Sequence, residues 1–222
     1  MRISSLTAAV LFAVSHGALL PAHQATPSAQ QVAAALQKKY DTIRDFSADF
    51  VNDYEGGILR KKLSEKGTVQ IKKPGRMRWI YTNPHKQFVS DGRRMYVYYP
   101  DDKQVTVTPV PEEDEATSAV LFLAGKGNLT RDFTASFVPS AASDTYALKL
   151  QPRLKDHDYD WLEVVVDRGT LQIRSLSFED KQGGRSTFRF SRFKENTGLS
   201  DKIFVFKIPA GADVITNGSP SR

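Results

Sequence analysis

The chain has 222 residues, no cysteine, and a formal net charge of +6 from 31 Lys and Arg against 25 Asp and Glu. Without cysteine there is no disulfide framework, no thiolate metal site, no Cys nucleophile and no lipid attached at an amino-terminal Cys. About two hundred residues bury enough apolar surface for one stable core without such staples, so a single domain is expected.

Arg2 precedes an apolar stretch from Leu6 to Val14 that is too short to span a bilayer. Ser15 and Gly17 stand at the spacing a signal peptidase reads, with a later cut near Ala25 also open. Residues 1–25 therefore read as a cleavable export signal, cut between 17 and 25, and residues 26–212 as the folded domain. The remaining 213–222 read as a polar, disordered tail.

Pro27, Ser28 and Gln31 form the pattern of a capping box, and Val32, Leu36, Tyr40 and Ile43 follow at helical spacing. The spacing predicts an amphipathic helix of four turns whose apolar stripe lies on a sheet. From residue 46 the period changes to two: Phe46, Ala48 and Phe50 share one face, as do Val69 and Ile71, and Met77, Trp79 and Tyr81. Gly56-Gly57, Lys73-Pro74-Gly75, Asn83-Pro84, Asp91-Gly92 and Pro100-Asp101 punctuate these strands as turns. Ile58 to Lys103 holds twelve Lys and Arg against four acidic residues, a local balance of +8. Such a basic half-sheet fits an anionic membrane surface or an acidic partner, or cations that protect strand edges. Export argues against nucleic acid as the partner.

After the acidic run Glu112 to Glu115, Thr117 or Ser118 caps a second, short helix that ends at Gly125. Ala119 to Ala124 is apolar nearly all round, which fits packing on the sheet, insertion into a membrane or docking on a ligand. Strands are expected again over 134–138, 146–151, 161–166, 171–178, 186–193 and 204–208. Roughly eleven antiparallel strands with so few helices predict a highly curved, incompletely closed barrel, since a flat sheet of that width is unusual.

Catalytic chemistry is sparse. No metalloprotease helix, nucleophile elbow or Walker loop is present, and Gly125-Lys126-Gly127 lacks the spacing of a phosphate loop. Asp156-His157-Asp158 reads as a solvated loop in preference to a metal site, because alternate residues point apart. Glu112 to Glu115 reads as an acidic hinge in preference to a calcium loop. No metal, cofactor or enzymatic activity is expected.

The segments Lys73-Pro74-Gly75-Arg76-Met77-Arg78-Trp79, Ser90-Asp91-Gly92 and Tyr98 to Val105 resemble the periplasmic outer-membrane lipoprotein carrier family, LolA. Leu121 to Leu129 followed by Arg131-Asp132-Phe133 is similar to that family's central helix and its exit, and Phe204-x-Phe206-x-Ile208-Pro209-x-Gly211 to its last strand. The resemblance implies a mainly β fold: an unclosed antiparallel barrel of about 11 strands over an apolar cavity, capped by the N-terminal helix and a short central helix acting as a lid. It implies a periplasmic monomer that takes acylated lipoproteins from an inner-membrane ABC transporter and passes them to an outer-membrane acceptor. A general lipid- or glycolipid-binding module, or a lipoprotein-sensing regulator on the same fold, is the alternative.

Met77 and Trp79 match the family's inner wall, and Val32, Leu36, Phe46, Phe50 and Phe88 are assigned to the same acyl-chain cavity. Val120, Leu121, Phe122 and Leu123 are assigned to the lid. Lys73 stands where the family has an Arg that bonds to the lid, so it is expected to serve as the latch, donating to the lid's carbonyls without Arg's planar fork.

Overall fold

Ser28 starts helix α1 (Ala29–Asp41) as the sequence predicts: its hydroxyl accepts from the Gln31 amide at 3.2 Å, and the Gln31 side chain accepts from the Ser28 amide at 2.8 Å. The computed structural model describes residues 26–56, 62–110, 123–125, 127–139, 142–154 and 159–216. The proposed export signal, the acidic run Glu112 to Glu115, the Asp156-His157-Asp158 run and residues 217–222 lie outside them. Val32, Ala33, Leu36 and Tyr40 form the buried stripe of α1, while Lys38 and Lys39 end the helix, where cations meet the negative end of its dipole.

Twelve strands form one sheet: β1 (Asp45–Glu55), β2 (Lys62–Lys72), β3 (Arg76–Asn83), β4 (His85–Asp91), β5 (Arg94–Tyr99), β6 (Gln104–Pro109), β7 (Phe133–Phe137), β8 (Thr145–Pro152), β9 (Tyr159–Asp167), β10 (Ile173–Asp180), β11 (Arg185–Glu195) and β12 (Asp213–Thr216). Their spatial order is β12-β6-β5-β4-β3-β2-β1-β11-β10-β9-β8-β7. Among the described residues β7 and β12 are the two edges of the sheet and do not pair with each other, so the barrel is unclosed. Each half of the chain runs as an antiparallel meander, and β1 joins the halves by pairing with both β2 and β11. A short helix α2 (Leu129–Asp132) precedes β7, capped by Asn128, whose side chain accepts from the Thr130 and Arg131 amides.

The period-2 pattern carries the core. Phe46, Ala48, Phe50, Val69, Ile71, Met77 and Trp79 are buried on one face together with Leu148, Leu150, Leu162, Val164, Leu176 and Phe188 of the second half. Helix α1 lies over this face and packs against α2, β7 and β8. At Gly67 the strands approach so closely that a Cβ would sit 1.9 Å from the Ile80 carbonyl oxygen.

Two expectations for the C-terminal region are corrected. Phe204 to Ile208 is not a strand: a 3₁₀ turn (Asp201–Phe204) capped by Ser200 leads into an extended stretch across the outer face of the sheet. Phe204 is buried, Phe206 packs on Tyr96 and Tyr98, and Arg78 donates to the Ile203 carbonyl at 2.9 Å. Val205 and Ile208 point to solvent at 58% and 46% exposure. The first four residues of the expected tail form β12, which pairs parallel with β6 and brings the strand count to twelve. Gly211, at φ +75°, turns the chain into it, and the β-branched Val214, Ile215 and Thr216 suit the pleat.

Candidate functional site

The concave face is an aromatic wall. Phe50 meets Trp79 edge-on at 5.0 Å between centroids and Tyr81 at 4.9 Å, while Trp79 meets Phe188 at 5.4 Å. Phe46 stacks on Phe193 at 4.7 Å. Of the residues assigned to the cavity, Val32, Leu36, Phe46, Phe50, Met77 and Trp79 are brought together as buried members of one cluster. Phe88, the cross-strand partner of Trp79, is partly buried against it. From the lid set, Leu123 is buried in the same cluster; Val120, Leu121 and Phe122 lie outside the described residues.

Residues 123–125 are tied down from two elements. The Tyr40 hydroxyl, at the end of α1, donates to the Leu123 carbonyl at 2.6 Å. The Gly75 amide, in the β2–β3 turn, donates to the Ala124 carbonyl at 2.9 Å. That turn is itself braced by the buried Ser90 hydroxyl, which donates to the Gly75 carbonyl at 2.7 Å.

Lys73 is expected to donate to the lid's carbonyls; of these only Leu123 and Ala124 lie within the described residues, and they accept from Tyr40 and Gly75 instead. Its ammonium donates to the Tyr40 carbonyl and lies 3.8 Å from the centroid of the Tyr40 ring. The Tyr40 carbonyl already accepts from the Ile43 amide at 3.1 Å, and it lies at the negative end of the α1 dipole, which favours a cation there. The Lys73 stem passes Gly125, where an added Cβ would meet Lys73 Cδ at 2.7 Å. Lys73 thus positions Tyr40 while Tyr40 and Gly75 hold the segment. Burial pushes the Lys73 ammonium down to about 8, against the opposing charge of Asp41, and burial also raises the Tyr40 phenol, helped by Glu195.

Away from Lys73 the wall turns polar. Asn52 follows Phe50 by two residues on the inner face of β1, opposite Glu65 on β2 and Phe188 on β11. Glu65 pairs with Lys86 at 2.6 Å, and the Lys86 ammonium sits 4.2 Å from the Tyr81 ring centroid. Burial raises the Tyr81 phenol above its ordinary range, with Glu65 and Tyr99 adding to the effect. Among the described residues Asn52 Oδ1 and Trp79 Nε1 are buried without a hydrogen-bond partner. Sequence reasoning missed Tyr40, Gly75, Asn52, Glu65 and Lys86 as site residues. Strand parity signals Asn52, because continuing Phe46, Ala48, Phe50 by two lands on it.

His85 is exposed at the start of β4. Among the described residues no helix is long and apolar enough to cross a membrane.

The family model for the outer membrane lipoprotein carrier protein LolA matches residues 41–207. An outer-membrane lipoprotein carrier protein of Methylibium petroleiphilum is 38% identical over 190 residues, covering 82% of this chain and 91% of that protein. One from Chromohalobacter salexigens is 29% identical over 200 residues, covering 90% and 91%. An uncharacterised conserved protein from Thermus thermophilus, whose crystal structure is solved, shares the fold with a TM-score of 0.51 at 14% identity, over 85% of this chain and 99% of that one. With well over half of its length inside the family match and a relative above 30% identity, the chain belongs to the LolA family of outer membrane lipoprotein carrier proteins.

Proposed function

We propose that the protein is a periplasmic carrier that shields the acyl chains of lipoproteins between the inner and the outer membrane. One observation carries this: a continuous aromatic wall on a sheet that does not close, with residues 123–125 held over it by hydrogen bonds from two separate elements. Each methylene exposed to water costs about 0.8 kcal/mol, so an acyl chain of about sixteen carbons leaves a bilayer at a cost on the order of 10 kcal/mol unless an apolar surface receives it. Val32, Leu36, Phe46, Phe50, Met77, Trp79 and Phe88 supply that surface. Residues 123–125 lie over it, with Lys73 setting the position of their anchor, Tyr40. An inner-membrane ABC transporter hands over the cargo and an outer-membrane acceptor receives it. Export of the chain by its N-terminal segment places it between the two.

The test is to load the purified protein with a fluorescent fatty-acyl probe and to compete with a triacylated lipoprotein. Saturable binding that the lipoprotein displaces is expected. Binding that it cannot displace, or no saturable binding, overturns the reading.

A further inference from the structure

The polar end of the concave wall is built for a ligand group that is polar and uncharged. Asn52 is 8% exposed and Trp79 2%, yet Asn52 Oδ1 and Trp79 Nε1 have no hydrogen-bond partner among the described residues. An unsatisfied buried donor or acceptor costs about 1–3 kcal/mol, and native interiors leave few of them. Both side chains lie on the inner face, one offering an acceptor and the other a donor. They border the same ring: Phe188 stands opposite Asn52 in the β1–β11 register, and its centroid lies 5.4 Å from that of Trp79. The charges nearby are already matched. Glu65, cross-strand from Asn52, is bound to Lys86 at 2.6 Å, and Lys86 also faces the Tyr81 ring. A phosphate or carboxylate brought to Asn52 would meet the carbonyl oxygen of an amide and a Glu, with the adjacent Lys already engaged.

We propose that Asn52 and Trp79 form a hydrogen-bonding pair for the N-acyl amide of a lipidated amino terminus, with Asn52 Oδ1 accepting from the amide N–H and Trp79 Nε1 donating to the acyl carbonyl. The inference rests on the carrier reading and deepens it. Acyl chains lie along Phe46, Phe50, Met77 and Trp79 toward α1, and their polar linkage lies at Asn52. A secondary amide has one N–H and one carbonyl, the set the pair requires. An ester lacks the donor, and an anionic headgroup lacks the neutrality. The pair therefore favours an N-acyl amide over an ester by chemistry inside the wall, in addition to apolar burial.

The test uses the mature protein, a triacylated lipopeptide, and its analogue in which an ester replaces the N-acyl amide, each competing with a fluorescent fatty-acyl probe. On the wild type the amide is expected to bind about tenfold tighter than the ester, as one hydrogen bond of about 1.4 kcal/mol requires. Asn52→Leu should remove that preference, and Trp79→Phe should weaken the amide and the ester alike, each compared with the same variant's own affinity for the probe. Equal binding of amide and ester by the wild type overturns the proposal without any variant having to fold. Failure of both lipopeptides to displace the probe overturns the carrier reading instead. An amide preference that survives Asn52→Leu assigns the recognition elsewhere and also overturns the proposal.

Discussion

Lys73 holds a charge in surroundings that disfavour it, and that fixes the direction of its pH effect. Its ammonium titrates near 8, below the ordinary 10.5 of an exposed lysine, because burial outweighs the nearby Asp41. The freed or unfolded form thus binds the proton more tightly than the latched form. The penalty is present in full below pH 8 and is relieved as pH rises from 8 toward 10.5. Melting curves should show the wild type gaining stability between pH 8 and 10 relative to Lys73→Met, which keeps the stem against Gly125 but has no proton to lose. Parallel curves for the two proteins would show that Lys73 is charged equally well in both states. Tyr40→Phe tests the anchor directly, since it leaves the Leu123 carbonyl without its 2.6 Å donor. A loss of about 1–3 kcal/mol is expected, with faster amide exchange at residues 123–125 and little change on the far half of the sheet.

Elements were legible where local chemistry decides them. The capping box of α1 involves only residues three apart, so Ser28 and Gln31 announce it in the sequence; Ser28→Ala should cost about 1 kcal/mol in a denaturant titration. The first meander was legible because its inward residues alternate within each strand: Phe46, Ala48 and Phe50 on β1, Val69 and Ile71 on β2, and Met77 and Trp79 on β3. Phe204-x-Phe206-x-Ile208 has the same alternation and is not a strand. Alternation shows which side chains share a face, but not which backbone lies alongside, and here the position next to β6 belongs to β12. The expectation that the tail begins at residue 213 failed for the same reason: four exposed residues carry no burial pattern, and a neighbouring edge gives them their partner. Gly67 shows a contact that no sequence window contains, because Ile80 belongs to the next strand. Gly67→Ala should fold poorly or lose several kcal/mol, since a Cβ 1.9 Å from a backbone oxygen can be accommodated only by moving a strand.

For the whole molecule, the pairing of β1 with β11 makes one curved wall out of two meanders, while Tyr40, Gly75 and Lys73 bring the end of α1, the β2–β3 turn and residues 123–125 to one point. A cover that opens must break there, and the absence of native cysteine makes the point accessible to a lock. A Cβ built on Gly125 lies 3.5 Å from Lys73 Cβ, within the range a disulfide spans. In the double variant Lys73→Cys, Gly125→Cys, the lysine stem that would clash with the new side chain is gone. A non-glycine residue at the φ of +80° costs about 1–2 kcal/mol, which a disulfide worth about 2–4 kcal/mol offsets. Oxidised, this protein should exclude the fatty-acyl probe and the lipoprotein alike; reduced, it should take up both. Uptake by the fully oxidised protein at the reduced rate would mean that residues 123–125 stay in place while cargo passes, and that the opening lies along the free edges, β7 and β12.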